Sequence, residues 1–237
     1  MTTKKTFSLV NKIVSCSKPD FSTGIHTFVN PYSYNLLRNR NDLFSSFSSI
    51  SVDGISLVRL LNILTNKKIE RKSFDMTSVA PSIFKCASEA GQSIAFLGSQ
   101  KLYIEQFVSV IRESYPNLNV CFYRDGYFSD DHERQSCIDE LVSINPHYII
   151  AGMGTLVQER FLVDVQDKGW KGVGFTCGGF IHQTAKGIDY YPDFFDRYNC
   201  RWLYRIYDEP KLFVRYFFHY PVSIVKITYD CFKYKNE

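Results

Sequence analysis

Residues 145–161 read NPHYIIAGMGTLVQERF. Asn145-Pro146 is a turn signal, and Tyr148, Ile149, Ile150 and Ala151 form a short apolar run after it. Such a run, bounded by turn residues, reads as a buried strand. Gly152 and Gly154 fall where that strand ends, and helical composition resumes at Leu156. The order is strand, glycine turn, helix. In open α/β sheets the ligand crevice lies at the carboxyl ends of the strands. Glycines there let backbone N–H groups approach a phosphate, and the helix start adds a favourable partial charge. Gln158 and Glu159 fall in the first helical turn, at the mouth of that crevice. An ordinary βα turn with a solvated first turn has the same composition, because two glycines are a weak signal.

Working outward, the same alternation recurs. Strands are expected at Ile25–Val29, Ser48–Val52, Ile94–Leu97, Val120–Tyr123 and Gly172–Thr176. Helices are expected over 32–44, 55–64, 78–90 with Thr77 as its cap, 101–114 and 131–144. Strands alternating with helices of this length imply βαβ units and a largely parallel sheet flanked by helices. Right-handed crossovers place all strand ends on one rim. That rim gathers Asn30, Asp53, Gly98, the 123–128 loop, 152–158 and 177–183 into one site. Residues 1–23 are polar with isolated apolar positions and read as loosely ordered or a short edge element. Residues 24–192 form the core.

The 237 residues are 45% hydrophobic and 22% charged, ordinary for a globular chain. A net charge of +4 is too mild to suggest a nucleic-acid partner. Aromatics reach 16% and need buried partners or an amphipathic surface. The seven cysteines make no C-x-x-C pair and read as reduced thiols of a cytoplasmic protein. The N-terminus has no apolar core of signal-peptide length. No run approaches the roughly 18 apolar residues of a membrane span.

From about residue 193 the composition shifts. Residues 201–237 carry seven Lys or Arg against four Asp or Glu, among dense Trp, Tyr and Phe. Helical spacing puts Arg201, Arg205 and Asp208 on one face, and Trp202 and Ile206 on another. Basic side chains interleaved with aromatics suit the headgroup layer of an anionic membrane. A helical layer packed on the sheet is the alternative. Elsewhere, the five histidines show no metal-ligand spacing. Asp130-Asp131-His132-Glu133 reads as a solvated helix start. No Walker motif, G-x-G-x-x-G fingerprint or nucleophile elbow occurs.

Several segments, taken in order, resemble the WecG/TagA/CpsF glycosyltransferases (family 26 of the sugar transferases) over roughly residues 24–220. They are HTFVNPYSY ending at Tyr34, VDG at 52–54, ERKSFD at 70–75, FLGS at 96–99 and GYF at 126–128. The most specific is Gly-x-Gly-Thr-x-x-Gln-Glu at 152–159, followed by RWLYR and DEP within 201–210. The resemblance implies a Rossmann-like core of the type called GT-E, with a C-terminal helical membrane-associating appendage at 193–237. It implies an inverting, metal-independent transfer from a UDP-sugar to a polyprenyl-diphosphate-linked saccharide, with no cofactor. The products would be cell-surface polysaccharides, made at the inner face of the cytoplasmic membrane.

The resemblance assigns roles residue by residue. Asp53 matches the general base that takes the acceptor hydroxyl proton, a task a carboxylate can perform. Read alone, Asp53-Gly54 is also an ordinary turn. Arg71 and Gln158 match the groups that hold the leaving diphosphate, which without a metal falls to arginine, backbone N–H groups and a helix N-terminus. Arg201, Arg205 or Arg215 would reach in from the appendage. Thr27 and Asn30 would hydrogen-bond donor sugar or acceptor, or else cap the turn before Pro31. Tyr127 would stack on the nucleotide or sugar, or pack as a loop aromatic. Gly98, Gly152, Gly154, Thr155, Glu159, Gly178, Gly179 and Gln183 complete the expected binding set.

The sequence departs from the family pattern at four places. Leu156-Val157 stands where Pro-Lys is commoner, and Ile181 where many members have Asp. Tyr190-Tyr191-Pro192 replaces Arg-Ala-Pro, and Arg201 replaces the Glu before Trp-Leu-Tyr-Arg. Gln183 or His182 would supply the polar contact absent at Ile181. The departures keep open a non-catalytic sugar-nucleotide-binding or scaffold subunit of a polysaccharide assembly complex. An unrelated Rossmann-like enzyme is a third reading, and a homo-oligomer or covering partner subunit is compatible with the apolar appendage.

Overall fold

A strand covered by helices on both faces must be apolar on both faces. The central strands obey this rule residue by residue. In the 148–152 strand, Tyr148 and Ile150 enter one core while Ile149 and Ala151 enter the other. In the 93–98 strand, Ile94 and Phe96 part from Ala95 and Leu97 in the same way. The computed structural model describes residues 8–16, 19–198 and 200–236. Its strands are β1 (Gly24–Val29), β2 (Phe47–Val52), β3 (Ser93–Gly98), β4 (Asn119–Arg124), β5 (Tyr148–Gly152) and β6 (Val173–Thr176). They form one six-stranded sheet in the order β2-β1-β6-β5-β3-β4, with every pairing parallel.

The helices are α1 (Leu9–Ser15), α2 (Pro31–Leu37), α3 (Asn41–Phe44), α4 (Ile55–Thr65), α5 (Ala80–Glu89), α6 (Lys101–Ser114) and α7 (Asp131–Ile144). They continue with α8 (Val157–Asp167), α9 (Phe180–Thr184), α10 (Asp193–Arg197), α11 (Arg201–Asp208) and α12 (Leu212–Val214). A π-helical turn, Arg215–His219, then leads into α13 (Tyr220–Asn236). Buried residues of α1–α4, α7, α8 and α13 fill one core, and those of α5, α6 and α9 fill the other. The second core is largely a phenylalanine lattice. Phe74, Phe84, Phe96, Phe107, Phe175 and Phe180 meet mostly edge to face, which accounts for much of the aromatic content. Helix α8 follows β5 on one face and α9 follows the neighbouring β6 on the other. The chain therefore diverges above these strands, and a crevice opens between them.

Three local expectations are corrected. Residues 9–15 are a helix rather than a loose segment, because Leu9, Val10 and Ile13 share one buried face; residues 1–7, 17 and 18 lie outside the described residues. The single helix expected over 32–44 is two, α2 and α3. The intervening residues Arg38, Asn39 and Arg40 are all polar, with no apolar side chain to bury. Thr77 does not cap α5, since its N–H and its hydroxyl both donate to Asp75 Oδ1, at 2.9 and 2.6 Å. The last helix packs on the body of the protein, against α2 and α4 rather than on the sheet itself. Ile227 and Cys231 are buried in the first core, and Asp230 accepts hydrogen bonds from Tyr34 and Arg38 of the α2 region, both at 2.9 Å.

Candidate active site

The carboxyl ends of the strands open into a cavity of about 1100 Å³. Asn30 ends β1, Asp53 ends β2, Gly152 and Gly154 follow β5, and Gly178 and Gly179 follow β6; all of them line it. Thr155, Gln158, Gln183 and the exposed Tyr127 line it as well, with Arg71 from the core and Arg201, Arg205 and Arg215 from the C-terminal helices. Three expected residues do not. Thr27 and Glu159 are buried beneath the floor, and Gly98 sits behind Gly152.

Asp53 is fixed by its backbone, whose N–H donates to Val29 O at 2.8 Å. The connection after α4 returns alongside β2, pairing Arg71 with Val52. Arg71 Nη2 thereby lies 3.1 Å from Asp53 Oδ1 and 3.1 Å from Asp75 Oδ2. The two carboxyls are driven apart. Burial raises the Asp53 pKa, against the opposing pull of Arg71. Its carboxyl keeps 37% of its surface exposed, and it lines the cavity. At Asp75 burial also disfavours the charge. Hydrogen bonds from Ser73 and Thr77 and the charge of Arg71 outweigh it and hold the pKa below its ordinary value. A pair of carboxyls separated in this way gives one group suited to take a proton and one that stays ionised.

The glycine turn rests on Glu159. Its Oε2 accepts from the Leu156 N–H at 2.6 Å, and its Oε1 accepts from Thr27 Oγ1 and Gln158 Nε2, each at 3.1 Å. Thr27 also meets Thr176 Oγ1 at 2.8 Å. Glu159 thus ties β1, β6 and the turn together from below. Burial raises its pKa against these hydrogen bonds. Gln158 Oε1 accepts from Gly178 N at 3.3 Å, bridging the loops after β5 and β6. Any side chain at Gly98 would place its Cβ 2.4 Å from Gly152 O, so the close approach of β3 and β5 requires glycine there. Asn30 caps α2, accepting from Tyr32 N and Ser33 N at 3.0 and 3.1 Å, and lines the cavity from that position.

The C-terminal helices close the cavity with cations. Arg201 donates to Thr77 Oγ1 at 2.7 Å and lies over the Tyr191 ring, 5.0 Å from its centroid. Arg205 pairs with Glu209 at 2.7 Å, and its guanidinium would be 3.2 Å from a Cβ at Gly179. Arg215 lies over Tyr32 at 4.5 Å. Six Lys or Arg line the cavity against four carboxylates, so the wall is net positive and fits a diphosphate. Tyr191 donates to Gln183 Oε1 at 3.1 Å, and burial pushes its pKa up to about 12. His182, Asp208 and Glu209 bring ligand-type atoms within 4.8 Å of one another. Both carboxylates are already paired, Asp208 with Lys186 and Tyr190, Glu209 with Arg205 and Lys211.

The family model for the glycosyl transferase WecG/TagA/CpsF family matches residues 2–237. The chain belongs to this family. It is a glycosyltransferase. A relative from Shigella boydii is 39% identical over 204 residues, covering 86% of this chain and 85% of the relative. That protein is named UDP-Gal:alpha-D-GlcNAc-diphosphoundecaprenol beta-1,4-galactosyltransferase. A second, from Bacillus subtilis (strain 168), is 27% identical over 187 residues, with 77% of this chain and 70% of the relative covered. Its name is N-acetylglucosaminyldiphosphoundecaprenol N-acetyl-beta-D-mannosaminyltransferase, and a relative of the same name from Staphylococcus aureus (strain NCTC 8325 / PS 47) is 24% identical.

Within this glycosyltransferase, the family departures fall on the cavity or its supports. Leu156 has φ +74°, which a proline ring cannot reach, and its N–H is used by Glu159. Ile181 is fully buried in the phenylalanine core, so no carboxylate fits there. Tyr191 and Arg201 stack on each other at the cavity wall. Asp75 was missed as a functional residue, although its place four residues after Arg71 was a signal. Tyr216 and Tyr220 were missed too. Both line the cavity; Tyr216 lies in the π-helical turn and Tyr220 directly follows it, and helical spacing gives no sign of that turn.

Proposed function

We propose that this enzyme moves a hexose, with inversion, from a UDP-sugar to a saccharide carried on a polyprenyl diphosphate, in cell-surface polysaccharide synthesis. The observation that carries the reading is a carboxyl of raised pKa, Asp53, facing a net-positive wall in one cavity. The Shigella boydii relative makes UDP-galactose the first donor to consider. In a single displacement, Asp53 takes the proton of the acceptor hydroxyl, whose oxygen attacks the anomeric carbon. The bond from that carbon to the diphosphate oxygen breaks, and UDP leaves with the electron pair. Arg71, Arg205 and the N–H groups of the 152–155 turn, with Gln158, meet the departing charge in place of a metal ion. Arg201 and Arg215 close the cavity around the diphosphates.

The segment 193–237 is proposed to hold the enzyme at the inner face of the cytoplasmic membrane. Phe218, Val222, Val225, Tyr229 and Phe232 recur at helical spacing along one face, each 51–70% exposed. Lys226, Lys233 and Lys235 lie among them and suit anionic headgroups. Among the described residues, no helix is long and apolar enough to cross a membrane.

The test is UDP release by purified enzyme with a panel of UDP-sugars and a lipid-diphosphate-saccharide acceptor in detergent. Acceptor-dependent release from one donor is expected. UDP binding with no turnover of any donor would favour a binding or scaffold subunit instead.

A further inference from the structure

The mouth of the cavity differs in chemistry from its floor. Ile55, Trp202 and Phe217 line the cavity and also stand exposed at the surface. None carries a charge; the lining also includes the exposed Lys211, while Arg71, Arg205 and Arg215 are less exposed. Ile55 is the first residue of α4, two positions from Asp53. Phe217 belongs to the π-helical turn, which is continuous with α13, and α13 packs on α4. Both side chains line the cavity, one from the start of α4 and the other from the turn that leads into α13. Trp202 packs near Tyr216, with ring centroids 5.9 Å apart. Outside the mouth the apolar character continues. Phe217 stacks on the exposed Phe213 at 4.3 Å, and Val214 and Phe218 are exposed beside them.

A cavity lined by part-buried arginines, with exposed apolar side chains on one side of its rim, matches a ligand with an anionic head and an apolar tail. Water gains nothing from exposed aromatic rings at such an opening, whereas covering them with a hydrocarbon chain is favourable at about 25 cal/mol per Å². We propose that the isoprenoid chain of the acceptor leaves the cavity between Ile55 and Phe217, beside Trp202, and lies on the exposed apolar face of residues 213–218. The exit begins beside the base, so the diphosphate and its sugar stay inside while the chain leads to the membrane. This path rests on the function proposed above and gives the lipid part of the substrate its own contacts.

The experiment uses full-length enzyme in nonionic detergent micelles, with two acceptors sharing one diphosphate-saccharide head. One carries a long polyprenyl chain and the other a short, water-soluble chain. The readout is the ratio of kcat/KM for long over short. Wild-type enzyme is expected to prefer the long chain. Ile55→Ser and Phe217→Ser are each expected to lower that ratio about ten-fold, or about 1.4 kcal/mol. Phe217→Leu, which keeps an apolar surface, is expected to preserve most of it. UDP binding by calorimetry checks that each variant is folded. An unchanged ratio in both serine variants, or equal losses with the two acceptors, overturns the path while leaving the transferase reading intact. Wild-type enzyme that binds UDP but turns over neither acceptor overturns the proposed function, and the path with it.

Discussion

Asp53 and Asp75 share one guanidinium, yet only Asp53 has a pKa pushed upward, because Asp75 has Ser73 and Thr77 as further donors and Asp53 has none like them among the described residues. That asymmetry separates the proposed base from the group that steadies Arg71. Beneath the turn, Leu156 shows how a single backbone position is held. Its positive φ is a strained conformation for a branched residue, costing of order 1–3 kcal/mol, and the Glu159 hydrogen bond sustains it. Leu156→Pro would remove the N–H and forbid that φ. It is expected to destabilise the protein by about 3 kcal/mol in urea unfolding, despite proline being common at this place in the family. A proline variant as stable as wild type would mean that the turn is not fixed as described.

At the scale of elements, the alternating strands and helices were legible because their apolar periods are regular, and the strand-end residues Asp53, Gly152, Gln158 and Gly179 followed from them. Two kinds of information were not legible. Whether a first-turn carboxylate faces the crevice or the floor depends on three-dimensional packing, so Glu159 and Thr27 read as ligand contacts when they are supports. The docking of α13 depends on residues about 190 positions apart, which no local pattern reveals. Asp230 there satisfies both Arg38 and Tyr34, and burial raises the Tyr34 pKa so that its phenol stays protonated. Asp230→Ala would leave the buried Tyr34 and the largely buried Arg38 without this acceptor. After allowance for the partial exposure of the Arg38 pair, it is expected to cost about 2 kcal/mol in urea unfolding. A loss below about 0.5 kcal/mol, typical of a surface change, would contradict that docking.

For the whole molecule, a net-positive cavity and an apolar helix face occur on one body, and the C-terminal helices contribute to both. The proposed membrane contact makes a direct prediction. Val225→Asp and Phe232→Asp, both at exposed positions, are expected to lower binding to vesicles containing anionic lipid by ten-fold or more in a sedimentation assay. Unchanged binding would remove the membrane role from that face. The central claim, that Asp53 is the base of a glycosyl transfer, is tested most directly by acceptor-dependent UDP release from wild type and Asp53→Asn across pH. A base works only when deprotonated, so wild-type kcat/KM is expected to fall as pH drops through the Asp53 pKa, at a pH above the ordinary carboxylate value. The account predicts a loss of about 10²–10⁴-fold in kcat for Asp53→Asn, with UDP still bound. An Asp53→Asn enzyme that keeps wild-type turnover and the same acid limb would contradict it.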